Sequence, residues 1–236
     1  MSQKSALIFL DSEILGITLL SFQVSCTAVL LASIFALPIG TVLGLKDFRG
    51  KQVILTLVNT LMGLPPVVVG LILYLLLSNM GPLGPLSLLY TPTAMILAQF
   101  VLAVPIIIGL TYSAIADVSE KIVEQTLSLG ATKRQLILIM FKEARMGILT
   151  SIIAAFGRAV SEVGAIMIVG GNIRYFTRTL TTAIVLYTSM GEFETAIVLG
   201  TILLITSFTI NLFLTYLQTR YRPDKGKRFK VMRFGD

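Results

Sequence analysis

The feature that most constrains this chain is a run of 65 consecutive residues, 52–116, without a single Asp, Glu, Lys or Arg. Two further charge-free runs cover residues 14–45 and 195–219. About 20 apolar residues are enough for one helix to cross the hydrocarbon core of a bilayer. Only 13% of the 236 residues are charged, whereas a soluble domain has roughly 25%. The sequence therefore predicts an all-α, polytopic membrane protein that forms a single transmembrane domain, residues 1–236.

We predict five transmembrane helices from these runs. They lie within residues 14–45 and 52–78 and at about 93–112, 146–170 and 195–218. A sixth apolar stretch, residues 179–190, is too short to span and is expected to be an interfacial or re-entrant helix. Prolines inside the spans are expected to bend or break them, because proline removes a helical hydrogen bond. These are Pro38, Pro65, Pro66 and Pro105.

The distribution of basic residues predicts the orientation. Lysine and arginine are concentrated at residues 46–51, 117–145 and 220–233. Such an excess marks the cytoplasmic side of a membrane protein. The chain is therefore predicted to lie in the cell membrane with its N-terminus outside and its C-terminus in the cytoplasm. The basic tail is interpreted as topology and attraction to anionic lipid, not as nucleic-acid binding.

Several kinds of chemistry are disfavoured by the composition. The chain has no histidine and one cysteine, Cys26, so an intramolecular disulfide cannot form. The usual ligand of haem and zinc is missing, as is the most common general base. No GxxxxGK[ST] phosphate loop occurs. We therefore expect no cofactor, no metal site and no enzymatic activity, and any nucleotide energy must come from another chain.

Small residues recur every four positions in the first predicted span, at Ala28, Ala32, Ala36, Gly40 and Gly44. Such a ladder lets two membrane helices approach closely. Two interpretations remain open at this point: packing inside one subunit, or a seam between two copies of the chain.

The segment 114–145 is the longest predicted cytoplasmic connection between spans. Its first half predicts a short amphipathic helix that ends at Gly130, a residue suited to the left-handed position after a helix. Thr132 and Gln135 then form a capping box that begins the next helix. The short helix either lies on the lipid surface or docks a cytoplasmic partner and transmits motion to it.

Arg158 and Glu162 place two charges inside the fourth predicted span, in the stretch "GRAVSEVGA". If that span is one straight helix, the two side chains share a face and can pair. A charge at mid-bilayer is costly, so both must face protein or water. They either form a buried ion pair that fixes helix packing or line a translocation pathway or its gate, together with Ser161. An arginine there can donate a fork of hydrogen bonds.

The predicted outer segment "GGNIRYFTRTLTT" carries Asn172, Arg174 and Arg178 beside several hydroxyl groups. Three interpretations remain open for it. These side chains could receive an anion, contact the acidic surface of a partner, or belong to a plain polar loop with interfacial arginines.

The stretch "EQTLSLGA" resembles the EAA signature of ABC-importer permeases, a Glu, two small residues, three of any kind and then Gly. Glu124 and Gly130 occupy its two most telling positions, while Gln125 and Thr126 stand where the family usually has Ala-Ala. The later Ile-x-Leu-Pro half of the signature has no match here. The resemblance implies a type I importer fold in which cytoplasmic ATPase subunits dock on a coupling helix. The implied contacts are Glu124, Gly130, Ala131 and Arg134.

Other stretches extend the resemblance over nearly the whole chain. "LLSFQVSCTAVLLASIFALPIG", "FRGK" and "LPPVVVGLILYLLL" are similar to the first spans of molybdate and tungstate permeases. "GRAVSEVGAIMIVGGNIRYFTRTLTTAI" is similar to the tungstate branch. The resemblance implies a homodimeric permease that imports tungstate, with ATP and magnesium bound by the ATPase partner and the anion delivered by an external binding protein. Molybdate, sulfate and phosphate are the alternative substrates.

Two functions of other classes are weaker interpretations. A secondary anion transporter needs no ATPase, but five spans do not divide into two equal inverted halves. A membrane anchor for a redox enzyme is disfavoured because haem iron commonly takes a histidine ligand.

Overall fold

A computed structural model of the chain describes residues 12–118 and 120–220, and every regular element within these two ranges is a helix. In these ranges the α-helices are α1 Ser12–Leu45, α2 Lys51–Met62, α3 Pro66–Leu77, α4 Pro92–Ala116, α5 Glu120–Ser128, α6 Lys133–Val160, α7 Gly164–Gly170, α8 Leu180–Ser189 and α9 Phe193–Arg220. One turn of 3₁₀-helix, Gly84–Leu86, lies between α3 and α4. The predicted all-α fold is confirmed.

Among the described residues, three helices are long and apolar enough to cross a membrane without interruption: α1, α4 and the first 21 residues of α9, Phe193–Phe213. Two further candidates are bent pairs, α2 with α3 and α6 with α7. The number of spans reaches the predicted five if each bent pair counts as one span. The chain is therefore a multi-pass membrane protein in which two of the five predicted spans are not continuous helices.

The first pair bends by 97° between Met62 and Pro66. Gly63 ends α2, Pro65 has extended backbone, and Pro66 opens α3 at a position where proline is tolerated. The predicted effect of proline is thus seen at Pro65 and Pro66. It is not seen as a break at Pro38 or Pro105, which lie inside the continuous helices α1 and α4.

The second pair bends by 58° at residues 161–163, between α6 and α7. Its short half, α7, packs closely on α3. A Cβ added to Gly70 of α3 would lie 2.8 Å from the Cα of Ala165, and one added to Gly164 would lie 2.7 Å from the Cγ2 of Val67. Since Val67 and Gly164 both lie in the first turn of their helices, the breaks of the two pairs are neighbours.

The small-residue ladder of α1 packs against α4 of the same chain. Its alanines are fully buried. A Cβ on Gly40 would lie 2.8 Å from the carbonyl oxygen of Ile108, and one on Gly44 would lie 2.8 Å from the Cβ of Ile115. Of the two open interpretations, the structure supports close packing inside one subunit.

The short apolar stretch after the outer loop forms α8, which is ten residues long and therefore does not span, as predicted. It packs between α1 and α9 in a cluster that includes Ile17, Leu180 and Leu199. The N–H of Leu180 donates to the hydroxyl of Ser21 at 2.7 Å. Hence α8 is tied to the first span by both packing and a hydrogen bond.

Candidate translocation and coupling sites

The break between α6 and α7 holds the charged residues that the sequence singles out. Helix α6 ends at Val160, and Ser161 is its C-cap. The Ser161 hydroxyl donates to the carbonyl oxygens of Gly157 at 3.0 Å and Arg158 at 3.1 Å. The side chain of Ser161 therefore satisfies carbonyls of the last turn of α6, which would otherwise lack hydrogen-bond donors.

Arg158 and Glu162 do lie near each other, but they are not a pair within one helix. Arg158 lies in the last turn of α6, but Glu162 lies beyond the end of that helix. The bend still brings them near each other, with 4.0 Å between Arg158 Nη2 and Glu162 Oε2. This is an ion pair without a hydrogen bond. The straight-helix expectation failed because the local sequence does not reveal that α6 stops at Val160.

Glu162 is fixed by both its carboxylate and its main chain. It is 5% exposed, and its Oε1 accepts from the N–H of Ala165 at 3.1 Å, which caps the start of α7. Its carbonyl oxygen accepts from the hydroxyl of Thr181 in α8 at 2.8 Å. Its N–H donates to the carbonyl oxygen of Ala159 in α6 at 3.2 Å, so Glu162 joins α6 to α7 and α8, whereas Arg158 lies within α6 and is 45% exposed.

Gln99 of α4 joins this group, and the sequence analysis missed it. It is only 2% exposed, and its Nε2 donates to the carbonyl oxygen of Ala159 at 2.8 Å. Gln99, Arg158 and Glu162 line one narrow cleft between α4 and α6. A single amide inside a long apolar helix was the available signal, but its partner lies 60 residues away in the sequence.

The outer arginines converge on an acidic residue that was also missed, Glu13 in the first turn of α1. Arg174 binds it in a fork, Nε to Oε1 at 2.9 Å and Nη2 to Oε2 at 2.6 Å. Arg178 Nη1 donates to Glu13 Oε1 at 3.4 Å. The pKa of Arg174 is raised above its ordinary value, mainly because it donates to Glu13 and also by the charge of that carboxylate. Glu13 therefore fastens the start of α1 to the outer loop.

Asn172, the third predicted outer residue, lies in a tight turn of this loop. It adopts a positive φ of 51°, which asparagine tolerates better than most residues. Its Oδ1 is buried and has no hydrogen-bond partner in the described part of the chain. Next to Asn172, Thr177 joins the two ends of the loop: its hydroxyl donates to the carbonyl oxygen of Gly170 at 2.6 Å. Asn172 thus lies beside the two arginines in sequence but is not part of their ion pairs.

The predicted coupling segment forms a helix, a glycine turn and a second helix, as expected. Gly130 has φ +79°, and its N–H donates to the carbonyl oxygen of Leu127 while that of Ala131 donates to Thr126. This pair of bonds is the Schellman ending of α5. Thr132 and Gln135 exchange the two hydrogen bonds of a capping box, which starts α6.

The side chains predicted to bind a partner are available on this segment. Glu124 and Arg134 are exposed, and so is the apolar side chain of Leu129. Leu129 and Leu138 line a groove between the end of α5 and the start of α6.

The sequence led us to expect no metal site. Within residues 12–118 and 120–220, no group of three or more His, Cys, Asp or Glu side chains could hold a metal ion.

Comparison with solved structures defines the class of protein. The fold is similar to that of the inward-facing MetNI methionine ABC transporter, with a TM-score of 0.72 and 15% identity over 94% of this chain and 100% of that chain. The chain thus has the fold of a type I ABC-importer permease, as predicted. It belongs to the family described as the binding-protein-dependent transport system inner membrane component, which matches residues 36–223.

Two relatives place the chain more closely within that family. A probable anion ABC transporter permease protein of Haloferax volcanii is 45% identical over 84% of this chain and 88% of its own length. The tungstate uptake system permease protein TupB of Peptoclostridium acidaminophilum is 42% identical over 90% of this chain and 93% of its own length. The family has ATP-binding and substrate-binding partners, and its members transport substrates and do not transform them.

Proposed function

We propose that this chain is the permease subunit of an ATP-driven importer for tungstate and acts as a homodimer. The observation that carries the proposal is its 42% identity to a tungstate uptake permease over nine tenths of the chain. ATP and magnesium bind to the ATPase partners, and this chain catalyses no reaction by itself. It provides the pathway and converts the movement of the ATPases into alternating access.

The proposed partners bind at opposite ends of the molecule. Helix α4 has 25 residues, which at 1.5 Å per residue is about 37 Å. At its start, the N–H of Tyr90 donates to the carbonyl oxygen of Val169 at 2.8 Å, next to the outer loop. At its other end it leads to α5. The ATPases dock on α5 in the cytoplasm, and the binding protein docks on the opposite face. With the partners arranged in this way, we expect the N-terminus outside and the C-terminus in the cytoplasm.

The outer loop is proposed to contact the binding protein and not to hold the anion. Arg174 and Arg178 share one carboxylate, that of Glu13, which neutralises part of their charge. Arg174 nevertheless stays 58% exposed, so one face of its guanidinium is open to an acidic partner. Two arginines with one acid leave a net positive surface that complements acidic side chains.

At the break between α6 and α7 we propose a weak contact for the passing oxyanion. The guanidinium of Arg158 is half-exposed and carries a fork of donors suited to oxyanion geometry. The carboxylate of Glu162 at 4.0 Å lowers the net attraction. Conduction requires a site that binds well enough to admit an ion and weakly enough to release it. Arg158, Ser161 and Glu162 together fit that requirement.

The test is reconstitution of this chain with its ATPase in lipid vesicles, with binding protein loaded in turn with tungstate, molybdate, sulfate or phosphate. We expect ATP hydrolysis and uptake to be stimulated at the lowest concentration by tungstate. A variant ATPase that binds but does not hydrolyse ATP is the control, and it must abolish uptake.

Stimulation by a different anion would retain the importer and replace the substrate. Uptake that follows a gradient without ATP, from a preparation to which no ATPase binds, would contradict the importer and favour a secondary transporter.

A further inference from the structure

The cleft between α4 and α6 contains a buried polar atom that lacks a hydrogen bond within the described residues. Gln99 Oε1 is buried and has no partner within the described residues. The cleft is too narrow to hold a water molecule that could donate to it. Arg158 lines the same cleft, and its charged partner Glu162 lies beyond hydrogen-bond distance at 4.0 Å. A buried acceptor without a donor and a half-exposed arginine whose ion pair lacks a hydrogen bond therefore line one cleft.

The neighbouring groups are already fixed, so Arg158 is the side chain that can exchange partners. Gln99 is held through its Nε2 by the carbonyl oxygen of Ala159. Glu162 is held through its Oε1 by Ala165 and through its carbonyl by Thr181. The Gln99 acceptor therefore moves with the end of α6, because Ala159 adjoins Arg158 in the same helix. Glu162 lies within the 58° bend: its N–H donates to the carbonyl oxygen of Ala159 at 3.2 Å, while its carboxylate accepts from Ala165 and follows α7.

We propose that Gln99 is a positioning residue for transport, whose Oε1 accepts the Arg158 guanidinium when α7 and α8 move away from α6. This proposal rests on the proposed oxyanion pathway. In the structure described here Arg158 faces a carboxylate, which neutralises it. On Gln99 it faces a neutral amide, which holds the guanidinium in place without cancelling its charge. The positive charge then becomes available to an oxyanion, and the return of Arg158 to Glu162 displaces the anion.

The exchange of partners by Arg158 requires only an amide acceptor and an arginine donor, both of which the cleft supplies. A buried amide oxygen without a donor costs free energy, so a state that satisfies it is favoured. A hydrogen bond from a charged donor is roughly twice as strong as one between neutral groups. Arg158 is therefore the expected partner.

The first test is Gln99→Met, which retains the length of the side chain and removes both its acceptor and the Nε2 donor to Ala159. The measured quantity is the amount of tungstate imported per ATP hydrolysed, at saturating loaded binding protein. We expect this ratio to fall about tenfold, the effect of one charge-assisted hydrogen bond on an equilibrium, while stimulated ATP hydrolysis is retained. Gln99→Glu should lower the ratio as well, since a carboxylate there neutralises Arg158 in both positions.

The matched control is Thr111→Val. Thr111 and Ser151 form another buried hydrogen bond between α4 and α6, at 3.1 Å, and neither residue lines the cleft. This variant should leave the ratio unchanged. If the Gln99 variants lower uptake and ATP hydrolysis in equal proportion, Gln99 has only a structural role and the proposal is wrong.

A second measurement does not depend on the substrate or on the Gln99 variants. In a Cys26→Ser background, Arg158→Cys and Glu162→Cys are joined with a short bifunctional thiol reagent, before and after ATP and vanadate are added to the complex. We expect the yield to fall about fivefold or more, the lower end of typical coupling between sites. An unchanged yield would overturn the proposed movement. Wild-type complex that imports no oxyanion at all would instead refute the proposed function.

Discussion

Single small residues determine how closely the bent helices approach. Gly70 and Ala165 bring the backbones of α3 and α7 into direct contact, and Ala165 is fully buried. Membrane helices have no hydrophobic driving force for association and depend on such close packing. A substitution at Gly70 therefore acts on the contact that supports the break at residues 161–163.

We expect Gly70→Ala to destabilise the protein by about 1–3 kcal/mol, the usual cost of overpacking. The added Cβ would lie 2.8 Å from backbone, which cannot rotate away. Thermal unfolding of the purified protein in detergent measures the effect. Gly200→Ala is the control, because a Cβ there meets nothing within 4 Å and alanine favours a helix. Equal stability of the two variants would show that α3 and α7 are not in close contact.

At this scale the sequence predicts which charges matter but not what they bind. Arg158 and Glu162 were recognised because a charge inside an apolar run is unusual. Their true arrangement depends on the end of α6 at Val160, which no local pattern specifies. Glu13 and Gln99 were missed because their partners are 161 and 60 residues away, and only the folded chain brings them together.

Helix α5 and its glycine turn form an exposed corner at one end of α4. The Schellman ending and the capping box leave few unsatisfied backbone groups at this corner. Hydrogen bonds thus fix the backbone of this corner, although most of its side chains are exposed. Such a helix can transmit a displacement to α6 because only residues 129–132 separate the two.

Glu124→Arg should uncouple transport, since it reverses an exposed charge on the proposed docking helix. We expect stimulated ATP hydrolysis and tungstate uptake to be lost while the protein still folds and inserts. Co-purification with the ATPase and uptake in vesicles measure the effect. Glu143→Arg, the same reversal on an exposed position of α6, should have a much smaller effect. Full transport by the Glu124 variant would remove α5 from the docking surface.

At the scale of elements, hydropathy predicts the apolar stretches and their approximate bounds. It cannot distinguish a straight span from a bent pair, because both have the same composition. The 97° bend at residues 63–65 was partly foreseeable from Pro65 and Pro66. The 58° bend at residues 161–163 was not, since it depends on packing of α7 against α3 and on the Thr181 bond to Glu162.

At the outer end of the molecule, Glu13 joins two segments that are distant in the sequence. This residue connects the beginning of α1 with a loop more than 160 positions later, through two arginines. Glu13 is almost completely buried, so neutralising it leaves Arg178, itself mostly buried, without its counter-charge. The structure therefore predicts a large effect from a substitution that changes only one oxygen to an amide nitrogen.

We expect Glu13→Gln to lower the melting temperature by at least about 3 °C, which is a readily measured shift for a chain of this length. Thermal unfolding in detergent at low and high salt is the measurement. Asp47→Asn, which breaks the exposed pair between Asp47 and Lys51, should change the melting temperature by less than about 1 °C. A Glu13 variant as stable as the Asp47 variant would show that the outer cluster does not hold α1.

The shortness of α7 has an electrical consequence. Seven residues extend for about 10 Å, a third of the roughly 30 Å hydrocarbon core. If the pathway is sealed beside α7, the membrane voltage falls mainly across this short layer. Each elementary charge that crosses it against 100 mV then requires about 2.3 kcal/mol, or about 4.6 kcal/mol for a dianion. Most of the electrical work of importing an oxyanion would thus be done in one step, past Arg158, and that step should be the voltage-sensitive part of the transport cycle.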